Sequence, residues 1–174
     1  MLWRAPAHAA ELQAHWQALG AALQRDHPAW QREGQRLIRS WSRWPRAYHD
    51  TAHLQACLQH LHAVQGDLPG VLHNPAAMAL ALWFHDAVYW PWSAHNEERS
   101  ADWAARFLRA QTMPAALVDT VHQHILDTRH TPGPLAGDAQ WAVDIDLAIL
   151  GQNPVVYDRF ERNVRREYFF VRRP

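Results

Sequence analysis

Ten consecutive apolar residues, Pro75 to Phe84 (PAAMALALWF), lie between Asn74 and the pair His85-Asp86. The run is half of the roughly 20 residues needed to cross a bilayer as a helix. Asn74 is suited to cap a helix and Pro75 to open it, because the first helical N–H groups have no intrahelical partner. A helix with no polar side belongs in an interior, buried all round. It ends by delivering an imidazole and a carboxylate together. An ionised carboxylate at the end of a buried helix is costly unless it is paired or binds a metal. An arginine partner for Asp86, with His85 as a satisfied core histidine, explains the pair as well as a ligand site does.

The rest of the chain predicts an all-α fold. No window alternates apolar and polar residues with β-branched enrichment. Further helices are expected over about Ala9–Arg25, Ala29–Trp41, Asp50–Val64 with Gly66 as the stop, Asn96–Ala110, Pro114–Arg129, Asp138–Leu150 and Pro154–Val171, by the apolar periodicity and the Pro, Gly and Asp punctuation. HTPGPLAG (130–137) reads as a loop by composition. The expectation is a single helical bundle of seven or eight helices spanning residues 1–174, with 174 residues suiting one domain. All 17 basic residues are arginine, 17 acids balance them, and net charge is zero, which excludes a uniformly basic nucleic-acid binder. The lone cysteine, Cys57, excludes an internal disulfide and a CxxC metal clamp. The opening MLWRAPAHAAEL has no signal-peptide core. A cytoplasmic protein with no membrane partner is the expectation. Thirteen histidines raise a metal or acid–base role, and ten tryptophans a heavily aromatic core or interface.

Two other helices supply matching chemistry. In WAVDIDLAIL (141–150), Val143, Ile145, Leu147, Ile149 and Leu150 share an apolar face at about 100° per residue. Asp146 falls near its middle and Asp144 nearly opposite. A buried Asp–Arg pair is the plain alternative. On the helix after Asp50, the apolar face is Leu54, Cys57, Leu58, Leu61 and Val64. His53 lies at its flank, with His49 and His60 on the same side. His53, His85, Asp86 and Asp146 together form a His2Asp2 set. Mixed nitrogen and oxygen donors suit one borderline divalent ion such as Mn, Fe, Co, Ni or Zn. Cys57 is most simply a small buried hydrophobe.

The order His53, His85-Asp86, Asp146 on successive helices resembles the HD superfamily of metal-dependent phosphohydrolases. The segments YHDTAHL (48–54), ALALWFHDAVY (79–89), NEERSA (96–101), DIDLAILG (144–151) and RREY (165–168) resemble the small bacterial HD phosphohydrolases of unassigned substrate. The likeness covers the chain from about Trp44 to Val171. It implies an HD-type bundle holding one divalent ion, Mg included, on those four residues. It also implies hydrolysis of a small phosphate ester such as a nucleotide. Those proteins usually continue past the RREY helix, whereas this chain ends at Arg173-Pro174.

By the same resemblance Glu97 or Glu98 would act on the attacking water. Glu97 projects with Ala101, Ala104 and Leu108, while Glu98 has a plain reading as a first-turn carboxylate. Arg129 would balance charge and His130, preferred to His122 and His124, would meet substrate. The stripe Arg36, Arg39, Arg43 and Arg46 reads as a solvated face rather than a phosphate-binding one, and the stripe Arg159, Arg162, Arg165 and Arg166 is similar unless one of them faces a cleft. Trp90 and Trp92 suit base stacking or a site rim equally. A non-catalytic nucleotide sensor or oligomeric scaffold on the same bundle is the rival class. A metal-free helical interaction protein, its aspartates neutralised by arginine, is a third. No nucleic-acid polymer is expected, and a homo-oligomer is compatible with the sequence.

Overall fold

A computed structural model describes residues 8–131 and 133–171. The extreme termini, including MLWRAPA and Arg173-Pro174, lie outside the described residues. The fold is all-α. Among the described residues eight helices follow in order, α1 (Ala9–Ala22), α2 (Pro28–Trp41), α3 (Thr51–Asp67), α4 (Pro75–Phe84), α5 (Asn96–Ala110), α6 (Ala115–Asp127), α7 (Asp138–Asp146) and α8 (Pro154–Glu167). A 3-10 turn, Leu147–Gly151, follows α7. Among the described residues there is no strand, and no helix is long and apolar enough to cross a membrane.

Helix α4 is the axis of the bundle. Its side chains Ala77, Met78, Leu80, Ala81, Leu82, Trp83 and Phe84 are all buried, and α3, α5, α6 and α7 pack around it. Asn74 caps it by accepting from the Ala77 N–H at 3.0 Å. Asp50 caps α3 in the same way, accepting from Ala52 and His53. These local contacts fix where each helix starts, and therefore where His53 and His85 stand.

Tryptophans fill much of the interior. Trp16 of α1 and Trp30 of α2 stack with ring centroids 4.6 Å apart. Each indole N–H donates to the other's backbone carbonyl, at 2.8 and 3.1 Å. Such closeness needs glycine beneath each ring. A Cβ on Gly20 would meet Trp30, and one on Gly34 would collide with the ring of Trp16. Gly34→Ala is expected to destabilise the fold by about 1–3 kcal/mol through overpacking. Chemical denaturation checks this, with the midpoint falling while the slope is unchanged.

Three sequence expectations are corrected. Gly66 does not stop α3, which continues to Asp67. Helices α1, α6 and α8 end two to four residues early, at Ala22, Asp127 and Glu167. The run from Asp138 to Leu150 is not one helix: it changes to 3-10 after Asp146, and Leu150, placed on the apolar face, is 52% exposed. Asp144 is exposed as expected.

Candidate metal centre

The four residues of the sequence-derived set converge at one end of α4. His53 comes from the first turn of α3, His85 and Asp86 follow the last turn of α4, and Asp146 ends α7. His53 Nε2 lies 3.3 Å from His85 Nε2 and 3.1 Å from Asp146 Oδ1. His85 Nε2 is 3.5 Å from the same oxygen and 3.6 Å from Asp86 Oδ2. His53 and His85 are buried, at 6% and 1% exposure.

The tautomers matter here. His85 Nδ1 lies 2.8 Å from the Leu82 carbonyl, which can only accept, so Nδ1 carries a proton and donates it. Nε2 of a neutral His85 is then a lone pair. It faces an anionic oxygen and a second ring nitrogen. Such a cluster requires positive charge at its centre, from protons or from a cation. The titration shifts reflect this demand. Burial pulls the His85 imidazolium down, but Asp86 and Asp146 overcome it and push His85 up to about 9. Burial would likewise raise the Asp146 carboxyl, yet His85, His130 and His53 hold it well below the usual carboxylate range. Among the described residues no guanidinium lies within 4.0 Å of the Asp86 or Asp146 carboxylate. Arg46 reaches Asp86 only through its backbone carbonyl, at 2.7 Å. The arginine-neutralised alternative therefore lacks its arginine.

Cys57 enters the cluster unexpectedly. Its ligand atom lies within 4.8 Å of those of His53, His85 and Asp146, with Sγ 3.7 Å from His53 Nε2. Sequence spacing held the signal, because position i+4 on α3 shares a face with His53. Burial pushes the thiol well above its ordinary value, and Asp146 and Asp86 push it further. A bound cation would deprotonate such a thiol, so Cys57 and the Asp86 carboxylate, 3.6 Å from His85 Nε2, are the two candidates for the fourth donor.

The softer site residues fall into two groups. His130 is brought to the centre, its Nε2 3.1 Å from Asp146 Oδ2. Its φ of 54 is unusual for a residue with a Cβ, and it aims the ring back at α7. The alternatives go elsewhere, His122 to Asp102 at 3.6 Å and His124 to within 3.7 Å of Asp127. Arg129 is tied to Glu98, Nη2 to Oε1 at 2.7 Å. Arg129 Nε and Glu98 Oε2 are nevertheless buried without a protein partner. Glu97 and Glu98 shift in opposite directions. Burial pushes the half-buried Glu97 up, aided by Asp86 and Glu98. The Glu98 carboxyl is held down, chiefly by its own backbone amide and by Arg129 and His95.

A cavity of about 410 Å³ opens onto His53 and Asp146, walled by Tyr48, His60, Ile149 and Phe160 with Arg159 and Asn163 at α8. Arg159, expected on a solvated face, is thus the member of its stripe that meets a cleft. That volume is within the range that takes small organic ligands.

The residue that sequence reasoning missed outright is Glu167, within RREY. It is fully buried at the end of α8. Its Oε1 accepts from the backbone N–H groups of Ala47, Tyr48 and His49, at 2.6, 2.7 and 3.0 Å. Its Oε2 pairs with His49 Nδ1 at 2.6 Å and accepts from the Tyr89 hydroxyl at 2.8 Å. Burial opposes ionisation, but His49 and these N–H donors hold the carboxyl down at about 2. A carboxylate in the last turn of a polar, arginine-rich helix carries no local signal of this role. Only the return of α8 to the start of α3 and the loop after α4 reveals it.

Comparison with protein-family models, with curated proteins and with solved structures finds no match. The functional reading accordingly rests on the site itself.

Proposed function

We propose that the chain is a metal-dependent phosphohydrolase of the HD type, acting on a small phosphate ester such as a nucleotide. One observation carries the reading. The buried Nε2 atoms of His53 and His85 and the Asp146 carboxylate lie within 4.8 Å of one another, the Asp86 carboxylate adds a second anion 3.6 Å from His85 Nε2, and among the described residues no guanidinium lies within 4.0 Å of either carboxylate. The donor chemistry fits one divalent transition ion, held by His53, His85, Asp86 and Asp146. Such an ion supplies Lewis acidity and lowers the pKa of water toward about 7.

The chain's own groups perform the remaining work. Leu82 fixes the His85 tautomer through Nδ1, leaving Nε2 to face the centre. By the resemblance to HD proteins, Glu97 is the group assigned to take and return the proton of the attacking water, and burial raises its carboxyl in the direction that role needs. Glu98, held anionic chiefly by its own backbone amide and further by Arg129, is suited to positioning that guanidinium. Arg129 balances charge beside Glu98, and His130 holds Asp146 through Oδ2 while His53 meets Oδ1. The cavity beneath Tyr48 and Phe160 accommodates the organic part of the ester, with Arg159 at its edge.

The test is a panel of phosphomonoesters and nucleoside triphosphates incubated with Mn, Co or Mg. The expected result is metal-dependent release of phosphate or pyrophosphate, abolished by Asp146→Ala. Glu97→Gln should lower kcat by about 10²–10⁴-fold, the usual contribution of a positioned acid–base group, with less effect on KM. Thermal stabilisation by a nucleotide with no turnover under any metal would instead establish a binding module.

A further inference from the structure

The arginines read from sequence as a solvated face border a second cleft, of about 550 Å³, between α2, α5 and the segment Ala87–Trp90. It shares no lining residue with the cavity at the metal centre. Arg36 and Arg39 line it from α2, Arg43 from the turn just after that helix, and Arg99 and Arg106 from α5. Spacings of three and seven residues place each helical pair on one face. Arg46 also lines this cleft, its guanidinium on the carbonyls of Asp86 and Ala87.

Most of this charge has no internal use. Arg36 lies 3.6 Å from Glu33 and stacks over Trp103. For Arg39, Arg43, Arg99 and Arg106, no carboxylate among the described residues lies within 4.0 Å. The one acid lining the cleft, Asp102, is turned to His122 at 3.6 Å. In a chain of zero net charge, this concentration of one sign in a concave surface is a local feature. Concave low-dielectric walls focus such a field, and guanidinium forks match phosphate oxygens. Large aromatic surface stands at the same mouth, with Trp44 75% exposed and Trp90 41% exposed. Neither ring is needed by the core.

We propose that this cleft is a second ligand site, for a small polyphosphate anion carrying a planar ring, a nucleoside polyphosphate. The arginines of α2 and α5 grip the phosphates from both walls, and the exposed indoles stack on the ring. A cleft bounded on both sides by helices and a balanced overall charge favour a small anion over a nucleic-acid strand. This site does not rest on the hydrolase reading.

Calorimetric titration of the intact chain in EDTA, with ATP and with inorganic tripolyphosphate, tests it. Both anions are expected to bind, with affinity falling as salt rises. The pair Arg43→Gln/Arg99→Gln, one exposed residue from each wall, should weaken both by at least about tenfold, as expected from losing charge-assisted hydrogen bonds. Trp44→Ala should weaken ATP and spare tripolyphosphate, and this single exposed change serves if the double variant misfolds. Equal loss of both anions on Trp44→Ala, or no change for either, would overturn the role of the ring. Asp146→Ala should leave all binding intact, which separates this site from the metal centre. Absence of binding, binding indifferent to the arginine changes, loss with Asp146→Ala, or a single-stranded oligonucleotide binding far more tightly than ATP would each overturn the proposal.

Discussion

Asp146→Ala and Asp86→Ala are each expected to abolish the bound divalent ion, while Cys57→Ala retains it. Protein purified without chelator should carry close to one transition ion per chain. Removing a ligand should cost more than the roughly 10–100-fold lost when an outer-shell partner of a metal is removed. Each aspartate contributes an anionic donor beside His85 Nε2, at 3.5 and 3.6 Å. No other carboxylate in the described structure is within 4.0 Å of that nitrogen to replace it. Cys57 tests the competing donor set, because its sulfur is as near to His53 as Asp86 is to His85. Metal analysis with helical circular dichroism as the folding control reads the outcome. Full metal content in Asp86→Ala together with loss in Cys57→Ala would reassign the fourth ligand. Full metal content in Asp146→Ala would falsify the centre itself.

The second large effect is expected at Glu167. Glu167→Ala leaves three backbone N–H groups and the Tyr89 hydroxyl without their acceptor, and His49 without its counter-ion. Removing one partner of a buried ionic network costs about 3–5 kcal/mol. For a domain of this size, each kcal/mol lowers Tm by roughly 2–4 °C, so a fall of about 6–20 °C is expected. The pH dependence has a definite sign. The Glu167 carboxyl titrates near 2 in the fold against an ordinary 4.5. Its stabilisation is therefore fully present above the ordinary value and is lost as pH falls from there through about 2. The contribution at neutral pH is about 3 kcal/mol by that linkage. Glu167→Gln should remove most of this acid sensitivity. An unchanged Tm, or an acid limb identical to the parent chain, would show that the clamp contributes little. Because the clamp holds Ala47, Tyr48 and His49, its loss should also loosen the start of α3, where His53 sits.

The sequence by itself determined the helices and singled out the four residues proposed as metal donors. Asn74, Pro75 and the ten apolar residues specify α4 locally, since capping and periodicity act within a few residues. That helix could end only by presenting His85 and Asp86 near the interior. Asp146 was also legible, although not wholly for the stated reason: the expected continuous helical face breaks just after it. Tertiary structure alone decided which groups meet. It brought Cys57 and His130 to the cluster, tied Arg129 to Glu98, and carried Glu167 across the chain to the backbone before α3. It also turned a stripe of arginines on α2 into one wall of a cleft by setting α5 opposite. The physical reason is one of range. Caps and helical periodicity are fixed by neighbours in sequence, whereas a buried charge or a cavity is defined by whatever the packing of distant helices places beside it.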